Sequence, residues 1–169
     1  WDVCFLAIDP KRAATIAFTA PYVIIEGAYL VPEASGFRKV DDVDREGVRV
    51  LVGKDSAYDL FLTRTLKHAT IVREVGQDAL VPAFERGDAE VLAGIRQPLE
   101  QIAGASPGKR MLPGRFMAIE QAMGMPAGKT VAAGFLGAFV RERIVSGFVA
   151  AALAESGRGE VTVAPPDGS

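Results

Sequence analysis

Hydrophobic residues in this chain come in short runs separated by turn formers, and the spacing inside the runs changes along the sequence. Trp1 to Ile8 is apolar nearly throughout, the pattern of a strand buried on both faces. Asp9 and Pro10 follow. Asp suits an N-cap and Pro the first helical position, so one helical turn carrying Arg12 is expected there. Tyr22 to Pro32 reads as a long extended segment stopped by Pro32. Glu33 to Glu46 is polar without a sustained period, which predicts a loop with a short helical turn. Val48 to Val52 returns to a strand pattern, Gly53-Lys54-Asp55 turns the chain, and Ser56 to Asp59 is a capping-box pattern opening a helix through about Lys67.

The second half alternates. Thr70 to Val75 is expected as a strand, Asp78 to Arg86 as a short helix pairing Leu80 with Phe84 and ended by Gly87, and Ala89 to Ala93 as another strand. Gly94 to Ala103 can form a helix, broken by Ser106-Pro107-Gly108 before Arg110 to Leu112. Strands alternating with helices predict an α/β fold with a parallel-rich sheet. Phe116 to Ile119 is the next extended piece. From Phe135 to Leu153 apolar pairs recur at helical spacing as a double stripe, interrupted at Ser146-Gly147 because Gly weakens a helix interior by about 1 kcal/mol. Val161 to Pro166 reads as a tail.

Composition narrows the function classes. The chain has 169 residues, 49% hydrophobic and 24% charged, enough apolar content for one or two cores. A formal net charge of −2 without long like-charged runs builds no phosphate-tracking surface, so nucleic acid is not an expected partner. The runs Thr130 to Val140 and Ile144 to Ala154 are too short to span a bilayer. A single cysteine, Cys4, is expected as a packed core residue, and with one histidine, His68, there is no ligand set for structural zinc. No cofactor or metal is expected. No leader-like segment opens the chain, so a secretory signal is expected to be removed or absent.

Few residues carry chemistry. Gly124 to Thr130 places its first glycine one residue too close for a phosphate-binding loop and is expected as a turn and helix start. No Gly-x-Ser-x-Gly elbow occurs, and His68 at a helix end can favour the dipole without doing chemistry. Arg12 is different. Its planar fork of donors suits a carboxylate, and the Asp9-Pro10 turn would hold it beside the end of the first strand, where open α/β folds bind ligands. Ser56 reads as an N-cap, and the N–H groups at that helix start attract an anion.

Asp9-Pro10-Lys11-Arg12, the run Ile16-Ala17-Phe18-Thr19-Ala20-Pro21-Tyr22, Gly47 to Val52, Ser56-Ala57-Tyr58, Ala83 to Ala89 and Phe139 to Gly147 follow one another in the order found in family 3 extracellular solute-binding proteins of bacterial ABC importers. The chain resembles that family over nearly its whole length. The resemblance implies a type II periplasmic-binding-protein-like fold, two α/β lobes joined by two crossover strands, with residues 1–30 and 119–169 in lobe 1 and 31–118 in lobe 2. Family members open with a strand, a helix and a second strand before the segment equivalent to Trp1, so lobe 1 is expected to be incomplete, with self-association through it as one expected consequence.

The same resemblance implies a function without covalent chemistry: a small carboxylate or amino-acid-like ligand bound in the cleft between the lobes and delivered to an ABC permease, in the periplasm or outside the cell. Arg12 would receive the ligand carboxylate, while Ser56 and Ala57 approach it from the second lobe. Positions that carry hydroxyls in amino-acid binders fall on Cys4, Phe5 and Ala7, and the acidic residue that takes the ligand ammonium falls near Gly94. The ammonium clamp is therefore expected to be lost. That fits an organic acid, or an amino compound whose amine is held by the absent segment. Two alternatives stay open: a cyclohexadienyl-dehydratase-like enzyme, for which Glu120 is the carboxyl candidate, and a ligand-sensing module of a receptor.

Overall fold

The computed structural model describes residues 1–166, and the last three residues of the expected first lobe lie outside the described residues. The chain packs as two compact units, one formed by residues 1–25 and 119–169 and the other by 26–118. The divisions fall inside two ten-residue strands, β3 (Val23–Pro32) after Ile25 and β8 (Met117–Pro126) after Ala118.

The continuous unit is a three-layer α/β sandwich. Its strands are β4 (Arg49–Gly53), β5 (Thr70–Glu74), β6 (Val91–Ile95), β7 (Lys109–Met111) and the later part of β3. β4 pairs in parallel with β5 and β6, but β3 meets β6 and β7 in antiparallel register. The expected parallel-rich sheet is thus corrected to a mixed one. β3 and β7 lie beside strands far from them in sequence, and the direction of such pairings is not set by the local alternation of strands and helices.

Alternation along these strands sends residues to opposite faces. Tyr29, Val31, Val50, Val52, Val91 and Ala93 form one buried cluster with Tyr58 and Leu62 of helix α2 (Ala57–Thr65). Ala28, Leu30, Leu51 and Leu92 form a second cluster with Leu80, Ala83 and Phe84, contributed by helix α3 (Leu80–Glu85), and with Leu99 of helix α4 (Arg96–Ala105). Fully buried strands read as continuous apolar runs for this reason. The predicted helix start at Gly94 is corrected: Gly94 pairs with Ala28 inside β6, and the helix begins at Arg96.

In the discontinuous unit, β1 (Cys4–Ala7) and β2 (Ile16–Phe18) both pair antiparallel with β8. Gly124 stands opposite both Cys4 and Phe18, and an added Cβ there would lie 2.8 Å from Ile16 Cγ2 and 3.0 Å from Cys4 Sγ. Such close approach is a use of glycine in a strand interior. Helix α1 (Pro10–Ala13) is the expected single turn. Helices α5 (Thr130–Val145) and α6 (Phe148–Glu155) meet at Gly147, which adopts φ +76°. The expected tail instead contributes β9 (Thr162–Val163), paired with Val23 and Ile24 of β3.

Three expectations about apolar residues are corrected in this unit. β1 is not buried on both faces, because it pairs with β8 alone among the described residues, leaving Trp1 and Phe5 each 68% exposed. Cys4 is half-buried, its thiol directed to the Gly124 carbonyl, rather than a member of the core. The double stripe is also split. Leu136 and Val140 pack on Met123 and Met125, while Phe135, Val145 and Phe148 remain exposed.

Candidate functional site

The turn after β1 is built as its residues dictate. Asp9 is buried and its carboxylate accepts the Lys11 N–H at 2.8 Å, while Pro10 fills the first helical position, where an N–H would lack an intrahelical partner. One turn later Arg12 donates from Nη1 to the Ala7 carbonyl at 3.0 Å. This bond pins the guanidinium to the end of β1 and takes one of its five N–H donors. Ala7 is itself buried. Arg12 and Ala7 are therefore brought together.

Phe5 occupies different surroundings. Its ring meets Tyr22 edge-on at 6.2 Å and lines an apolar groove of about 420 Å³ with Met123, Phe139 and Phe148. Arg143 crosses this groove, its guanidinium 5.4 Å from the Phe139 ring centre and 5.7 Å from that of Phe148.

In the continuous unit, Ser56 caps α2 by accepting the Asp59 N–H at 3.0 Å. Ala57 is the first residue of that helix, so its N–H and that of Tyr58 have no intrahelical acceptor, the arrangement that favours an anion. The second half of the expected capping box is changed. Asp59 reaches past Ser56 to accept the Asp55 N–H at 2.9 Å, and Asp55 holds φ +60°, a left-handed conformation that Asp tolerates better than most residues. Asp59 is 3% exposed and is paired with Arg73 Nε at 2.9 Å. Arg73 also donates to the Thr63 hydroxyl at 2.7 Å.

Gly94 lies buried near the end of β6, beside a cavity of about 230 Å³ that also touches Tyr58, Gln77 and Leu99. Sequence reasoning missed Tyr58 and Gln77. Tyr58 two residues after a cap reads as helix packing, and Gln77 sits in a turn of ordinary composition.

A second missed group is ionic. Glu26 accepts from Arg96 Nε at 2.6 Å and from Arg115 Nη1 at 3.0 Å, and Arg96 also donates to the Gly114 carbonyl at 2.6 Å. The hydrogen bond from Arg96, with Arg115 adding to it, holds the Glu26 carboxyl below its ordinary range despite some burial. Asp44 shows the opposing causes more plainly. Desolvation works to raise its pKa, but the N–H groups of Ala69, His68 and Lys67 converge on the carboxylate and keep it low. His68 therefore contributes a backbone donor.

Glu120, the carboxyl that an enzymatic reading needs, is exposed on β8. Among the described residues no group of three or more His, Cys, Asp or Glu side chains is placed to hold a metal ion, and no helix is long and apolar enough to cross a membrane.

The arrangement of elements has relatives among solved structures. The solute receptor for L-cysteine of Neisseria gonorrhoeae superposes with a TM-score of 0.78 over 91% of this chain and 63% of its own, at 18% identity. The chain has a type II periplasmic-binding-protein-like fold. The cysteine-binding protein from Campylobacter jejuni matches over the same 91% and 62% of its own chain, with TM-score 0.75 and 17% identity. A mutant of ArgBP from T. maritima gives 0.74 over 91% and 68%, at 18% identity. This chain thus spans 62 to 68% of the length of these solute-binding proteins. No protein-family model matches it, and no curated protein matches it in sequence.

Proposed function

We propose that this protein is the substrate-binding component of an ABC importer, working in the periplasm or outside the cell, and that it binds a small carboxylate or amino-acid-like solute for delivery to a membrane permease. The fold shared with amino-acid receptors supports a binding role, and the observation that carries the reading is Arg12 fixed to the Ala7 carbonyl at the end of β1. A guanidinium held in place matches a carboxylate with two parallel hydrogen bonds and loses little rotamer freedom in doing so.

In this reading Arg12 receives the carboxylate. Ala7 lies beside Arg12, and in the continuous unit the helix start at Ser56 and Ala57 is the anion-favouring feature. The Ser56 hydroxyl, the one nucleophile type in this set, is committed to capping α2, and in this reading the ligand is released unchanged.

Calorimetry with L-cysteine, L-arginine, L-glutamate and succinate tests the proposal, coupled to recovery of the ligand by NMR. At least one is expected to bind and return intact. Arg12→Lys is expected to weaken that binding by about 1.5 to 3 kcal/mol, the range for a hydrogen bond to a charged group, because Lys cannot reproduce the fork. Unchanged affinity in Arg12→Lys would remove Arg12 from the site. Conversion of the ligand would replace the transport reading with an enzymatic one.

A further inference from the structure

The cavity beside Gly94 lies in the continuous unit at the carboxyl end of the parallel strands β4 and β6, the edge where open α/β sheets take ligands. Gly94 lets a wall of the cavity close up: the Leu99 side chain packs directly on it, its Cδ2 3.2 Å from where a Cβ would stand. Leu80, Leu99 and Ile102 supply apolar walls. The polar atoms of the lining side chains are confined to one corner, where the Gln77 amide and the Tyr58 hydroxyl stand 3.4 Å apart. Among the described residues, no carboxylate or cationic side chain lines it.

We propose that this cavity receives the uncharged side chain of the solute, which places the ligand among carboxylates bearing a short aliphatic or hydroxylated chain and sets it apart from cationic amino acids. The inference rests on the proposed solute-binding function. The chemistry is one of desolvation. A terminal ammonium or guanidinium in this cavity would lose its hydration without a counter-charge, a heavy cost in an apolar site. A methylene entering the same space leaves water for contact with leucine and isoleucine side chains, which is worth about a fourfold gain in affinity for each group added. A hydroxyl can be satisfied only at the Tyr58 and Gln77 corner.

The test is calorimetry on the unsubstituted protein with two graded series, L-alanine, L-2-aminobutyrate, L-norvaline and L-norleucine, and propionate through hexanoate, with L-ornithine and L-lysine as charged counterparts. Affinity is expected to climb about fourfold per methylene until the cavity fills, with L-lysine at least tenfold weaker than L-norleucine. In Ile102→Trp, checked for folding by circular dichroism, the ring fills the cavity and the preference for longer chains is expected to vanish while the shortest binding member is kept. Carboxylates that bind with no dependence on chain length, or L-lysine binding tighter than L-norleucine, would overturn this assignment and leave the binding function standing. If no member of either series and none of the four solutes named above binds, both fall.

Discussion

Replacing Arg73 with Met should strip a buried carboxylate of its counter-charge and loosen the start of α2. Asp59 is 3% exposed, and its carboxylate accepts from Arg73 Nε at 2.9 Å and 3.2 Å and from the Asp55 N–H at 2.9 Å, while the single Thr63 hydroxyl proton goes to the Asp59 backbone carbonyl at 2.7 Å. Removing one partner of a fully buried pair costs roughly 3 to 5 kcal/mol. Two features lower that figure. Arg73 keeps 38% of its side chain in solvent, so part of its charge is already screened, and the Asp55 N–H stays with the carboxylate after the substitution. Met preserves the apolar stem on β5. A loss of about 2 kcal/mol is expected, which at a urea slope of about 2 kcal/mol/M lowers the unfolding midpoint by about 1 M. Adding Asp59→Asn should recover part of the loss, because a neutral amide accepts the Asp55 N–H without needing a cation. Urea unfolding of the single and double variants, followed by fluorescence or circular dichroism, measures both. A single variant within about 0.5 kcal/mol of the parent, or a double variant less stable than Arg73→Met, would refute the claim that Arg73 neutralises Asp59.

Gly27→Ala should destabilise the protein by about 1 to 3 kcal/mol, since the added Cβ would fall 2.7 Å from two ring atoms of Phe116 and displace that ring from its stack on Tyr29 at 4.4 Å. A thermal melt reads this as a fall in Tm of several degrees, and an unchanged Tm counts against the close packing. Glu26 sits below its ordinary value of 4.5 through the Arg96 hydrogen bond first and Arg115 second, so around that pH the unfolded chain binds more protons than the folded one. Its contribution is therefore present above about pH 4.5 and lost as pH falls through the folded pKa; the urea midpoint difference between the parent and Glu26→Gln should shrink from about pH 6 to pH 3. A difference independent of pH would remove Glu26 from the acid response.

Much of this architecture could be read from residue patterns, and the failures share a cause. The Asp9-Pro10 turn, the Ser56 cap and the Gly147 break were legible because each is decided within a few residues by backbone sterics and local hydrogen bonds. The burial of Phe5 and Phe135 was misjudged because exposure depends on which strand or helix lies opposite, and apolar character alone does not say. Strand direction failed similarly: β3 pairs with β6 from across more than 60 residues, a register that no local period encodes. At the candidate site, Arg12 and its fixing carbonyl are close in sequence and were within reach. The cavity at Gly94 needed Tyr58, Gln77 and Leu99 to arrive from three separate elements, and the Glu26 group needed Arg96 and Arg115.

The way the chain is divided has a consequence for the order in which it acquires its structure during synthesis. One unit is a single uninterrupted stretch, 26–118, whereas the other needs residues 1–25 to wait for 119–169. At about 5 to 20 residues per second, translation of that last stretch takes roughly 3 to 10 s, longer than a small mixed α/β domain typically needs to fold. The uninterrupted unit therefore matures first on the ribosome. Until β8 has been made, β1 lacks the strand it pairs with, and Val3 and Phe5 sit on an unzipped apolar segment, a natural substrate for a chaperone that captures extended hydrophobic segments.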